Sequence, residues 1–437
     1  MRYRAPLLAL TLVFAVALAG CWDNMEIDEV ALVGSIGLDL GEEGNAIVSL
    51  EIINPAALAT GSGNSAGNPP PVVAIVSRDE APTISAAIAN AQRRVPRTIA
   101  TGLINTVICG QPLARQGIGQ YIDYLIRDAG IRRSAVLATC DTGAGLLQRP
   151  YMDPIASRTL SGLAQSAVEG GKTMTVTLNE FAVKLAEPGI EPITLHTVGR
   201  RTKDVQVKTQ GEQVRQTEPA FMLEQPINAN TEIDGELPSD SPVFDPLKEG
   251  GSGEFMPGTT IDIGIAAYKG DKLVGLLDGV EARGYLWTTG KLEAGVVEIP
   301  DPRGSGNTVS FDVVRSSASV KPSFGEQIRI RAELHIDLEA SQVPLGMDLR
   351  DKKLIEEFES HLDALVLREV QSTLTRVQKE LRTDIYGFGN KVYRAKPKLW
   401  AELEPRWNEE IFPNLEVEFK IHTRVRGPGA VYGLDNR

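Results

Sequence analysis

Four histidines, a few acids around one expected turn and three cysteines are the residues whose side chains could do chemistry in this 437-residue chain. His196, His335, His361 and His422 are scattered, so no pair shares a helix face at the spacing of an H-E-x-x-H metal site. Three of them fall on the polar sides of expected elements, which assigns them to solvent or to hydrogen bonds rather than to a ligand shell. Asp271, Asp278 and Glu281 are candidates for an acid pair or a calcium site. Asp271, though, falls in a hairpin turn, where aspartate is favoured for local hydrogen bonding, and that plainer role is the expectation. No G-x-S-x-G turn exposes a nucleophile. Gly427-Pro428-Gly429 follows a strand with no helix after it, so it is not a phosphate cradle. Trp287, Trp400 and Trp407 are expected as core or interdomain anchors. The expectation is therefore no catalytic residue, no metal ligand and no cofactor-binding residue.

One thiol is different. Arg2 and Arg4 precede an apolar run from Ala5 to Ala19 that is shorter than the ~20 residues of a spanning helix, the pattern of a secretory signal over residues 1–20. It ends in Leu18-Ala19-Gly20-Cys21, which resembles a bacterial lipobox. The resemblance implies that the Cys21 thiol receives a diacylglyceryl group and becomes the new N-terminus, with or without an N-acyl chain. Two acyl chains anchor stably where one would not. Cys21 is thus the expected lipidation site, and this covalent lipid is the only group the chain is expected to carry. Cys109 and Cys140 remain. They are too few for a disulfide scaffold, and buried free thiols are the expectation over a bridge.

Hydrophobic content of 42% and charged content of 23% belong to a globular chain. The net charge of −12 argues against nucleic acid or an anionic lipid surface as a main partner. From Cys21 roughly ten residues lead to the first strand, a reach of at most ~35 Å, so the first domain sits close to its anchor.

The elements divide the rest. Val30 to Asp39 and Ala46 to Asn54 read as an antiparallel hairpin, and Val72 to Ser77 as a further strand. A helix opens at Pro82. Leu103 to Cys109, a helix from Pro112 to Asp128 and Ala135 to Cys140 make a βαβ unit. Thr177 to Glu180 fits a capping box. These features bound an N-terminal α/β domain over 21–192. A middle β-rich domain, 193–290, holds an acidic Pro- and Gly-rich loop at 224–257 and the strand pair Thr260 to Tyr268 and Lys272 to Leu277. The C-terminal domain, 291–437, has alternating strands at Val309 to Ser316 and Gln327 to Leu338. A helix from Asp348 to about Arg382 and a last strand from Leu415 to Val425 complete it. The fold class is α+β: mixed sheets with helices packed on them and a long helix in the C-terminal domain.

Ala267-Tyr268-Lys269-Gly270-Asp271-Lys272-Leu273-Val274-Gly275, with Glu281, Arg283-Gly284 and Leu286-Trp287 after it, resembles the signature of the Ger(x)C family, the lipoprotein C subunits of spore nutrient germinant receptors. Gly20-Cys21-Trp22-Asp23, Gly37-Leu38-Asp39, Asn54-Pro55, Pro96-Arg97, Leu113 to Ile118 and Leu125 to Asp128 fall where that family has similar motifs. So do Asp384-Ile385-Tyr386-Gly387-Phe388-Gly389, Pro397, Trp400, Trp407 and Phe412-Pro413. Leu103 stands where the family has His, and Ala129 where it has Pro.

The resemblance implies a non-enzymatic, lipid-anchored receptor subunit on the outer face of the spore inner membrane. Its partners would be membrane lipid through Cys21 and the multi-pass A and B receptor subunits, the B subunit resembling amino-acid transporters. No residue points to a particular small-molecule ligand. The alternative is a stand-alone lipoprotein that binds a solute or acts on cell-wall material. It would require two similar lobes about a hinge, or convergent carboxylates or a metal motif.

Overall fold

The computed structural model describes residues 26, 29–54, 74–147, 155–201, 203–209, 212–218, 259–277, 279–344 and 347–426. Cys21 with its signal segment, Asp278, the 224–257 loop and Gly427-Pro428-Gly429 lie outside them.

Apolar-rich segments form β1 (Val30–Leu40) and β2 (Ala46–Ile53), an antiparallel hairpin in which Leu40 pairs with Ala46 and Leu32 with Ile53. β3 (Ala74–Ala81) adds antiparallel to β2. α1 (Ile84–Gln92) starts where the Thr83 hydroxyl accepts from Ala86 N, satisfying one of the free amides of a first helical turn. β4 (Thr98–Ala100) and β5 (Thr106–Gly110) both run parallel to β1.

The helix expected from Pro112 to Asp128 is two helices, α2 (Gln111–Gln116) and α3 (Gly119–Arg127). The break is Gly117, held at φ 129 with the Asp271 carboxylate packed against it. β6 (Val136–Cys140) then pairs parallel with β5 and closes a βαβ unit.

Two sheet carboxylates start the next helices. Asp39 accepts from Gly143 N at 2.6 Å and Ala144 N at 2.8 Å, at the head of α4 (Gly143–Leu147). Glu51 accepts from Ala156 N and from Ser157 N, the latter at 3.1 Å, at the head of α5 (Ala156–Glu169). Negative charge there complements the unpaired amides and the positive end of the helix dipole. α6 (Leu178–Ala186) opens on the capping box of Thr177 and Glu180.

β7 (Ile193–Arg201) runs parallel to β6, and β8 (Lys203–Thr209) with β9 (Glu212–Glu218) forms a separate hairpin. β10 (Thr259–Lys269) pairs antiparallel with β7, and β11 (Lys272–Leu277) with β10. The result is a nine-stranded mixed sheet in the order β11-β10-β7-β6-β5-β1-β2-β3, with β4 on β1. Strands from 193–277 thus extend the sheet that β1 begins.

After α7 (Gly279–Thr289) the chain builds a second sheet from β12 (Val296–Pro300), β13 (Thr308–Phe324), β14 (Ile328–Gln342) and β15 (Glu416–Arg426), in that order. On β14, Ile330, Leu334, Ile336 and Leu338 are buried while Arg329, Arg331 and His335 face solvent, so the period of two sets the inner face. The long helix α8 (Lys352–Thr375) covers that face, with Phe358 edge-on to Phe311 at 5.3 Å.

The long helix expected from Asp348 to about Arg382 starts four residues later, at Lys352, and runs on past α8 to Leu381. Asp351 caps it through Lys353 N, so residues 348–350 form a turn instead. Its last turns, Arg376–Leu381, are π-wound and end at Arg382 with φ 48. α9 (Phe388–Ala395) and α10 (Pro397–Leu403) lead to β15. The chain is α+β, with mixed sheets, packed helices and a long C-terminal helix. Among the described residues, no helix is long and apolar enough to cross a membrane.

Candidate junction between the two sheets

Most of the residues that carry the sequence signature converge where the nine-stranded sheet meets α7, α8 and α9. Tyr268, near the end of β10, is fully buried and shares a 2.7 Å hydrogen bond with the Thr139 hydroxyl of β6. Phe181 of α6 packs edge-on to its ring at 5.1 Å. Its carbonyl accepts from the Thr383 hydroxyl at 2.5 Å, which ties the strand to the segment after α8.

Asp271 does not spend its side chain within its own turn. Its Oδ2 accepts from Gly119 N at 3.0 Å, and its carbonyl accepts from Ile118 N at 3.0 Å. The local bonding expected at that turn is replaced by a tie to the head of α3, 152 residues away. Gly275, on β11, lies directly against the end of the Leu381 side chain, which a Cβ there would have to displace.

The Glu281 to Trp287 segment is helix α7, and its motif docks on α8. Glu369 is 3% exposed; its Oε2 accepts from Arg283 Nε at 2.9 Å and from Trp287 Nε1 at 2.9 Å, and its Oε1 accepts from the second Arg283 nitrogen. Gly284 sits on the Thr373 hydroxyl and the Glu369 carbonyl, a close approach that only a residue without Cβ makes. Glu281 lies 3.7 Å from Arg376 and does not meet Asp271 in an acid pair.

Asp384 is the third hub. Its Oδ1 accepts from Gly387 N at 2.9 Å and Phe388 N at 3.1 Å; its Oδ2 accepts from Gly389 N at 2.7 Å and Trp407 Nε1 at 2.9 Å. Burial nevertheless raises its carboxyl from 3.8 to about 6, outweighing the four donors that favour the charge. The adjoining Gly189 and Asn390 bring α6 and α9 together, Asn390 N donating to Gly189 O at 2.7 Å. Glu191 accepts from Gly270 N and from Asn408 Nδ2, each at 2.6 Å, and burial raises its carboxyl as well. Trp400 and Trp407 pack at 5.1 Å beside Gly389, and Trp287, Trp400 and Trp407 are all buried, in the anchor role.

The other titratable candidates are dispersed. His196 is 6% exposed, with Nδ1 3.1 Å from Thr139 O; His361 Nδ1 contacts Glu357 O of its own helix; His335 and His422 stack at 5.1 Å on the solvent face of β14 and β15. Cys109 and Cys140 are free and buried. Burial, with Asp39 nearby, pushes the Cys109 thiol up to about 12 and the Cys140 thiol well above its ordinary value, so neither is a thiolate nucleophile near neutrality. Among the described residues, no group of three or more His, Cys, Asp or Glu could hold a metal. The junction's chemistry is that of buried carboxylates collecting donors from distant segments, which fixes geometry.

Sequence reasoning missed Glu369, Glu51 and Glu191, and it named Asp39 only within the Gly37-Leu38-Asp39 motif, without its role at the head of α4. Only the pairing of a lone buried acid with an apolar stripe, as at Glu369 between Val366 and Val370, could have marked one of them.

Two family models match the chain: "Spore germination protein N-terminal domain" over residues 23–196 and "Spore germination B3/ GerAC like, C-terminal" over 263–429. Among curated proteins of Bacillus subtilis (strain 168), spore germination protein KC is 24% identical over 97% of this chain and 95% of its own length. Spore germination protein B3 is 21% identical over 95% of this chain and 96% of its own. Spore germination protein A3 is 21% identical over 94% and 95%. A solved structure, titled "Crystal Structure of the GerBC protein", covers 90% of this chain and 96% of its own at 15% identity, with a TM-score of 0.46. With both halves matched in order, the chain belongs to the Ger(x)C family of spore germination proteins.

Proposed function

We propose that this protein is a non-enzymatic, lipid-anchored subunit of a spore nutrient germinant receptor. It is held by a diacylglyceryl group on Cys21 at the outer face of the spore's inner membrane and packs on multi-pass A and B subunits. The observation that carries this reading is the collinear similarity to spore germination protein KC over 97% of the chain. The junction supports it, because its signature acids and tryptophans are used up in holding two sheets together. Anchoring also fits the physics of assembly. A short leash raises the effective concentration of the body beside its partners without demanding a tight soluble interface.

The test is Cys21→Ala expressed in spores in place of the native chain. The variant leaves the membrane fraction, folds normally and responds poorly to nutrient. Full membrane retention with a normal response would refute the anchor.

A further inference from the structure

β1, β4, β5 and β6 all run in one direction, so their starts face one end of the nine-stranded sheet, those of β5 and β6 set back by five residues: Val30 is level with Thr98, Ser35 with Thr106, and Thr106 with Val136. That end holds the head of β1, Val30, which follows Cys21 by nine positions in the sequence. The connections that reach it carry Arg93 and Arg97, between α1 and β4, and Arg132 and Arg133, between α3 and β6, all exposed. The α3–β6 connection touches the link that follows β4, since Gly130 lies against the Thr101 hydroxyl and Gly102 faces Gly130 O. Leu103, 41% exposed, stands beside that contact.

The four arginines form no ion pair with any described residue. Their neighbours Arg94 and Arg127 are held by Asp79 and Asp123; elsewhere Arg329, Arg331 and Arg426 are paired with acids, while the exposed Arg115, Arg315 and Arg424 also form no ion pair with a described residue. Glu26, Glu29 and Asp128 lie at the same end, and Asp128 is engaged by Gly130 N and the Tyr124 hydroxyl. The rim at this end thus carries four arginines without an ion pair to a described residue and the exposed Leu103, with Glu180 nearby at the head of α6, whose Asn179 N donates to Arg133 O.

We propose that this rim rests on the membrane surface, with Arg93, Arg97, Arg132 and Arg133 binding the phosphates of anionic lipid headgroups and Leu103 reaching toward the acyl boundary. The proposal rests on the anchored reading, because the leash of at most ~35 Å brings this end to the bilayer. Guanidinium forks match phosphate oxygens bidentately, and cations near an anionic leaflet gain affinity that salt screens. The net charge of −12 keeps the rest of the body off the same surface, so the rim sets which way the protein stands.

The test uses the protein as recovered from membranes, reconstituted on vesicles of phosphatidylcholine alone or enriched in phosphatidylglycerol. Hydrogen exchange is read on peptides spanning 93–103 and 128–135, and the mass of the N-terminal peptide is read in the same samples. The expected result is several-fold slower exchange in both peptides on the anionic vesicles only. High salt abolishes that difference, and so does the combined variant Arg93→Gln, Arg97→Gln, Arg132→Gln, Arg133→Gln. Equal exchange on the two vesicle types overturns the proposal. An N-terminal peptide without lipid refutes the anchor alone. The rim is then read by co-sedimentation of that chain with the same vesicles, where each arginine removed lowers binding to the anionic ones about five-fold. Identical sedimentation with both vesicle types overturns it there too.

Discussion

Glu369 of α8 accepts a hydrogen bond from Trp287 Nε1 of α7 at 2.9 Å, and the same oxygen accepts from Arg283 Nε at 2.9 Å. One buried carboxylate therefore satisfies two side chains of the signature motif. Glu369→Gln puts an amide NH2 where an acceptor stood and leaves Arg283 without its counter-charge. Because the Arg283 side chain is 28% exposed and water takes part of the load, the loss is about 2–3 kcal/mol, below the figure for a fully buried pair. Urea unfolding checks it. Replacing Arg283 and Glu369 together by Met recovers part of the loss if the pair acts as a unit.

Asp384 gives the fold a pH signature. Its carboxyl is raised from 3.8 to about 6, so the folded state favours the protonated form more than the unfolded chain does. That contribution is fully present below about pH 4 and is lost as pH rises through about 6, a swing of about 3 kcal/mol. Asp384→Asn cannot titrate and points an NH2 at donors. Its stability deficit relative to the native chain therefore widens as pH falls from 7 toward 4. A deficit that stays constant over this range, measured by unfolding titrations, would contradict the assignment.

Gly117 and Asp271 form a latch between α2, α3 and the β10–β11 turn. Gly117→Ala strains a φ of 129 and drives a methyl into the Asp271 carboxylate, for a loss of about 1–3 kcal/mol. Asp271→Ala loses the bond to Gly119 N for about 1 kcal/mol. Native-state hydrogen exchange at Gly119 should accelerate in Asp271→Ala while that of β1 is unchanged.

These same residues show what a sequence can disclose. Alternation along β14 and the helical period of α3 and α8 are local, and they place strands, helices and inner faces without further help. α7 escapes that reading because Ala282, Gly284, Tyr285, Leu286, Trp287 and Thr288 are all buried, so it has no polar face to create a period. Glu369 with Arg283, Asp271 with Gly119 and Glu51 with Ser157 are separated by 86, 152 and 106 positions. No local pattern encodes such partners. Asp271 was legible as a turn residue, but its tie to α3 depends on the packing of β11 against α2.

Cys109 and Cys140 should behave as core residues. With both thiols buried and raised, iodoacetamide at pH 8 leaves them unmodified in the native protein and alkylates both once it is unfolded. Peptide mass spectrometry reads this directly. Labelling of either in the native state would place it at a mobile or exposed site, and a mass lower by two hydrogens would reveal a disulfide.

The most direct measurement is affinity recovery of this protein from gently solubilised spore membranes, with mass spectrometry of everything that accompanies it and of its N-terminal peptide. A receptor subunit brings stoichiometric multi-pass proteins and a diacylated Cys21. Recovery of the lipidated protein alone, under conditions that keep other membrane complexes intact, would contradict the receptor role and leave only the anchor.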